Sequence, residues 1–161
     1  MAVTNESSTQ IANIEAIPPV YLETNENHGR LRVAFFDFTQ GDAAGDATST
    51  ARLCKLPGGK VRILLPLSYV HHSALGAART IDLGHEAYVQ PDGTAVAADP
   101  DDLDADVDGS AAGAYVPAGT LGTHETKIFE SRDGVILTAQ VNDATLPAAA
   151  TLSGFFVYVQ D

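Results

Sequence analysis

The chain has 161 residues, enough for one domain that buries roughly 70% of its extended-chain surface and too few for two of ordinary size. Nine Lys and Arg against 21 Asp and Glu give a net charge of -12, which repels polyanions and leaves no basic stripe for phosphates, so no nucleic acid is expected as a partner. A 45% hydrophobic content with 19% charged residues also excludes a wholly disordered acidic chain.

No apolar run approaches the ~20 residues needed to cross a bilayer as a helix, so no membrane contact is expected. Residues 1–20 hold no Lys or Arg to head a signal peptide, and the expectation is a soluble protein that is not exported by the usual route. Cys54 is the single cysteine, which rules out an intramolecular disulfide and a cysteine-based zinc site within one chain. It reads as a small buried apolar residue rather than a nucleophile.

Residues 1–16 are polar and lack an apolar stripe, and they read as an extended N-terminal arm ahead of Pro18-Pro19. Residues 17–161 form the expected single β-sandwich domain. From Val20 onward, short apolar runs are separated by Gly, Pro, Asn and Asp, the texture of an all-β sandwich or barrel. Arg30 to Phe38 alternates, with Leu31, Val33, Phe35 and Asp37 on one face and Arg32, Ala34, Phe36 and Phe38 on the other. Both faces are largely apolar, so partial cover on both is expected.

Thr48 to Leu56 and Lys60 to Leu67 flank Pro57-Gly58-Gly59, which reads as a hairpin loop. Pro66 predicts a bend or an end to the second of these strands, with Ser68 to Ala74 resuming it. Ala78 to Leu83 alternates again, Glu86 to Val89 is a candidate strand, and Pro91-Asp92-Gly93 reads as a turn.

Six acids, Asp99, Asp101, Asp102, Asp104, Asp106 and Asp108, then fall within ten residues and equal half of the net charge. Three readings fit them. Asp99 and Pro100 can cap a short helical turn whose N-terminus welcomes negative charge, or the segment is a solvated loop. Asp104, Asp106 and Asp108 followed by Gly109 also reproduce the first half of a calcium loop, so calcium is the one candidate cofactor. The twelfth position of that loop is Tyr115 where a bidentate Glu is needed, and no helix-forming sequence follows.

Gly109 to Gly122 is loop-like with a short strand near Tyr115-Val116. Thr123 to Ser131 and Val135 to Val141 bracket Arg132-Asp133-Gly134, a turn signal for a tight hairpin, and Leu152 to Val159 is the closing strand. Eight to ten strands in two packed antiparallel sheets, a jelly roll, is the expected fold.

No catalytic constellation is assembled. His71 and His72 are adjacent and point to opposite faces of a strand. His85-Glu86 lacks the second histidine of a metalloprotease pair, which would sit at Val89, and no His-x-His pair supports a cupin-type site. His28 and His124 are isolated among polar residues. Asp82, His85 and Glu86 are acid–base residues around a turn, as many surfaces carry. Nucleophile elbows, S-x-x-K and phosphate loops are absent. No enzyme is expected.

Leu53-Cys54, Leu56-Pro57-Gly58, Val61-Arg62, Ser73 to Gly76, Arg79 to Leu83 and Ala97 to Asp102, followed by the closing strands, occur in an order that resembles small virion structural proteins of tailed bacteriophages. The resemblance covers about the last two thirds of the chain and rests on strand and turn punctuation. It implies a capsid decoration or cement protein that binds the major capsid protein on the outside of the head. It also implies a homo-oligomer, dimer or trimer, located on the virion surface after a period in the host cytoplasm.

Ile11, Ile14 and Ile17, spaced by three in the polar arm, are the candidate capsid contacts; a short helical turn on the protein's own core accounts for them equally well. Alternative expectations are a head-fibre or tail-fibre component for host attachment, and a metal-dependent or carbohydrate-active jelly roll.

Overall fold

The computed structural model describes residues 16–18, 30–45, 50–117, 126–142 and 145–160. Within them the short apolar runs are strands. In chain order these are β1 (Leu31–Thr39), β2 (Thr50–Leu56), β3 (Gly59–Leu64), β4 (Tyr69–His72), β5 (Thr80–His85), β6 (Tyr88–Val89), β7 (Ala95–Val96), β8 (Asp99–Asp108), β9 (Gly113–Tyr115), β10 (Thr126–Ser131), β11 (Val135–Asn142) and β12 (Thr151–Gln160), with a 3-10 turn at Leu65–Leu67 between β3 and β4. One sheet runs β10-β3-β12-β4-β9 with β1 also paired to β12; the other runs β2-β11-β5-β8; β6 and β7 form a separate ribbon.

A single rule underlies this pairing. β1 pairs with β12, β2 with β11, β3 with β10, β4 with β9, and β5 with β8, all antiparallel. The chain is therefore one long two-stranded ribbon, doubled back at the β6–β7 tip and rolled into two facing sheets, which is the jelly roll expected from the sequence.

At two of the corners both strands of the ribbon turn together and stay bonded. Gln40 N–H donates to the Ala150 carbonyl at 2.8 Å and Gly45 N–H to that of Leu146 at 2.9 Å across the first corner. Leu75 N–H to Gly109 O at 2.9 Å and Gly109 N–H to Arg79 O at 2.8 Å hold another.

This geometry corrects both hairpin expectations. Pro57-Gly58-Gly59 joins β2 in one sheet to β3 in the other, and Arg132-Asp133-Gly134 joins β10 to β11 in the reverse sense. They are two halves of one corner. A Cβ on Gly58 would lie 2.5 Å from the Arg132 carbonyl oxygen, and one on Gly134, at φ 94°, would lie 2.3 Å from that of Leu56. The glycines are needed because the two turns pass in backbone contact.

Pro66 acts as expected. The 3-10 turn interrupts one long strand into β3 and β4, which both pair with β12. Ser68 fills the interruption: its hydroxyl donates to the Leu64 carbonyl at 3.0 Å and accepts from Val157 N–H at 3.0 Å. With β3–β4 and β9–β10 each counted as one interrupted strand, the ribbon has eight strands besides its tip.

Phe129, Phe156, Leu56, Ile63, Leu65, Ile81, Leu83, Leu103, Leu137 and Leu152 fill the space between the sheets, fully buried. Side chains of this kind contribute about 1.5–3 kcal/mol each on burial.

Two further expectations change. The acidic segment is not a helical turn or a loop but the ten-residue strand β8, because β5 offers it a ladder that six acids alone would not favour. The Leu31, Val33, Phe35 face of β1 is not covered, since β1 is an outer strand whose Ala34, Phe36 and Phe38 face the core. Of the arm, residues 1–16, only Ala16 lies among the described residues, with Ile17 next to it.

Candidate interaction surface

The alternation of β1 that buries Phe36 sends Leu31, Val33 and Phe35 outward, 61%, 46% and 75% exposed. In register with them on β12 are Val159, Val157 and Phe155. Phe35 meets Phe155 edge-on at 5.8 Å between ring centroids, and Phe155 stacks on Tyr69 of β4 at 6.2 Å. These contacts fix an aromatic row on the outside of the six-stranded sheet. Side chains already held by packing lose little entropy when a partner covers them. Nine consecutive residue pairs join β1 to β12 without a register break, and among the described residues no strand pairs with its other side.

β8, the edge of the other sheet, is built differently. Its register against β5 slips twice, between Ile81 and Leu83 and between Leu83 and His85. At the first slip Asp106 takes φ 55°, and its amide donates to the buried Asp82 carboxylate at 2.8 Å. At the second, the Asp99–Pro100 backbone crosses Gly84 so closely that a Cβ there would sit 1.9 Å from the Asp99 carbonyl oxygen. Pro100 offers no amide, Asp99, Asp101, Asp106 and Asp108 are exposed, and the twist of a bulged strand turns the edge away from neighbours.

The second slip also builds a polar cluster, buried at His85 and part-buried at Asp102 and Lys127, that links the sheets. His85 Nε2 lies 3.3 Å from Asp102 Oδ2, and Lys127 of β10, in the other sheet, reaches Oδ1 of the same carboxylate. The His85 approach is ionic more than a well-aligned hydrogen bond. The other ring nitrogen lies 2.9 Å from the Glu86 carbonyl. Phe129 and Tyr88 each meet the imidazole edge-on at 5.3 Å.

Burial works against charge on His85, but the Asp102 carboxylate and the Glu86 carbonyl outweigh it and raise its pKa above the ordinary 6.5. Burial likewise opposes ionised Asp102, while His85 and Lys127 prevail and hold it below 3.8. The cluster was not legible in the sequence as a unit, because its members are 17 and 25 positions apart; His85 and Asp102 were each visible in other roles, and Lys127 was not singled out.

The residues singled out as an acid–base group do not act together. Asp82 holds the Asp106 amide, His85 faces Asp102, and Glu86 pairs with Arg52 at 2.8 Å on the surface. The three calcium candidates lie along β8 with separate engagements. Asp104 accepts from Ala105 N–H at 3.1 Å, Asp106 from Asn142 Nδ2 at 3.3 Å, and Asp108 from Ser110 N–H at 2.8 Å, a bond that lowers the Asp108 pKa. Among the described residues, no group of three or more His, Cys, Asp or Glu is placed to hold one metal ion.

Burial pushes the Cys54 thiol up to about 12, so it stays protonated at neutral pH. His71 is exposed and His72 buried against Tyr115, on opposite faces of β4 as expected. Ile17 is 99% exposed, whereas Ile11, Ile14, His28 and His124 lie outside the described residues. No described helix is long and apolar enough to cross a membrane.

No family model matches the chain, and no curated protein matches it in sequence. Among solved structures, a chain in the capsid of Ralstonia phage GP4 superposes with a TM-score of 0.61 at 22% identity, covering 83% of this chain and 86% of that one. A chain of the cyanophage Pam1 capsid asymmetric unit gives 0.48 at 12% identity, with 83% and 86% covered. The rolled antiparallel ribbon of this protein is thus a fold that a phage capsid structure also contains, over nearly the whole of both chains.

Proposed function

We propose that this protein is a structural component of a phage virion, a decoration or cement protein that binds the major capsid protein on the outside of the head and reinforces the lattice. The observation that carries this reading is the likeness to a chain in a phage capsid that is matched over 86% of its length, which makes the two modules of similar size. The order of sequence motifs that resembles small virion proteins supports it independently.

The physical features suit the role. A sandwich closed by bonded corners is rigid, and a net charge of -12 keeps decorated particles apart in solution. Ile11, Ile14 and Ile17 of the arm are proposed as contacts to the lattice. Repetition over many copies makes modest contacts sufficient, since simultaneous engagement raises avidity by roughly 10²–10⁴.

Purified chain added to expanded heads that lack it should bind stoichiometrically and raise the temperature at which the heads release DNA. Heads that neither bind the chain nor gain resistance would overturn the reading. If deletion of the gene abolished adsorption to the host while leaving head strength unchanged, a fibre role would replace it.

A further inference from the structure

We propose that the free edge of β1 joins two copies of this chain, which pair antiparallel through β1 and its symmetry mate about a twofold axis at Val33. This goes beyond the virion reading and does not depend on it. Three observations support it.

The first is the edge itself. A long, regular strand with an apolar outer face offers its unpaired amides and carbonyls to any other strand, and proteins normally blunt such edges with charges, proline or bulges. β8 carries all three devices; β1 has no proline and no register break, and its outward positions Leu31, Val33 and Phe35 hold no charge, the one charge of that stretch being the exposed Arg32 on the alternate face.

The second is self-complementarity. Reversed about Val33, Leu31 falls opposite Phe35 of the second copy and Val33 falls opposite itself. An isologous contact requires this reciprocity, residue i on j and j on i. The reversal keeps the alternation in phase, so both outer faces lie on the same side and the rows of Phe35, Phe155 and Tyr69 belong to one continuous sheet.

The third is electrostatic. Two chains of charge -12 repel each other across most of their surfaces. On the six-stranded sheet, the charged side chains that alternate outward from the buried Val61, Ile63, Phe129 and Phe36 are Lys60 and Arg62 against Glu130 and Asp37, and their formal charges cancel. Lys60 and Glu130 also pair at 3.7 Å. The six Asp of β8 lie on the other sheet, so a second copy meets least repulsion at β1.

Light scattering on the full-length chain should give twice its 16.8 kDa in the absence of any head. Val33→Lys places two ammonium groups on the axis and should give the single-chain mass, with an unchanged circular dichroism spectrum because Val33 is already 46% exposed.

Val33→Cys should form a disulfide-linked dimer under mild oxidation, since residues on the axis of an antiparallel pair have Cα atoms about 4.5–5.5 Å apart, within disulfide reach. Leu31→Cys, about 13 Å from its own mate in this register, should crosslink at least about tenfold more slowly, and the wild-type chain with only Cys54 should not crosslink.

A chain that is monomeric at every concentration, or a Val33→Cys variant that crosslinks no faster than Leu31→Cys, would overturn the pairing. If the chain is monomeric and Val33→Lys abolishes binding to heads, the edge serves the lattice and the proposed dimer is wrong. A chain that dimerises but does not bind heads would count against the virion reading alone.

Discussion

β1 and β8 are both outer strands of about the same length, one in each sheet, and they meet solvent in opposite ways. β1 pairs with β12 over nine unbroken positions and shows Leu31, Val33 and Phe35 to the outside. β8 slips twice against β5, holds a positive φ at Asp106, and carries six Asp and a Pro. The difference teaches that the acidic segment, the most conspicuous feature of the sequence, has an edge to protect: its charges and bulges make β8 a strand that refuses a further neighbour. Among the described residues β1 is left open, so the proposed pairing surface is defined as much by where the acids are as by where they are absent.

The comparison breaks most severely if β8 loses its seat. Gly84→Val puts a side chain into the Asp99–Pro100 backbone, where even a Cβ would sit 1.9 Å from an oxygen. The expected cost is about 3 kcal/mol, a fall of roughly 10 °C in Tm by calorimetry; a variant within a degree of wild type would show that β8 docks elsewhere.

Asp102→Asn is next. His85, with its pKa raised above 6.5, contributes stability that is fully present below 6.5 and is lost as pH rises through the raised value. Asp102, held below 3.8, contributes stability present above 3.8 and lost as pH falls through the lowered value. The variant should therefore be less stable by about 2 kcal/mol between pH 4 and 6.5, with the gap narrowing on either side. Urea midpoints across pH 3 to 9 measure it, and a pH-independent gap would show that the His85–Asp102 charge pair contributes nothing.

Converting Asp99 and Asp101 to Thr tests the edge directly. The Asp101 side chain beside it already raises the Asp99 pKa, so removing both carboxylates relieves crowding and should leave monomer stability within about 0.5 kcal/mol. The variant should nevertheless associate at lower concentration than wild type in light scattering, because the β8 edge has lost two of its charges. No change in association would locate the protection in the bulges alone.

The smallest effect is expected at Arg52→Ala. Its pair with Glu86 is 62% and 36% exposed, and such pairs contribute within about 0–1 kcal/mol. A loss well beyond that would show that β2, the remaining outer strand of the four-stranded sheet, depends on this ion pair.

Local patterns placed the strands well. Arg30 to Phe38 became β1 and Leu152 to Val159 became β12 because period-two alternation belongs to the strand itself. Pro66 marked the interruption before β4 because a missing amide is a property of one residue. Pro57-Gly58-Gly59 and Arg132-Asp133-Gly134 marked changes of direction but not their kind, since a corner between sheets and a hairpin within one use the same residues. The acidic segment misled because six carboxylates favour a cap or a loop locally, and only β5 and Gly84 make them a strand.

The sequence by itself therefore determined an all-β sandwich and the positions of most strands, both of which rest on composition and short-range periodicity. Tertiary structure alone decided which strands share a sheet, that Lys127 reaches across to Asp102 and His85, and that one apolar face of β1 stays outside. These depend on contacts between residues far apart in the chain, whose burial is fixed only when the ribbon rolls and some strands are left at its edges.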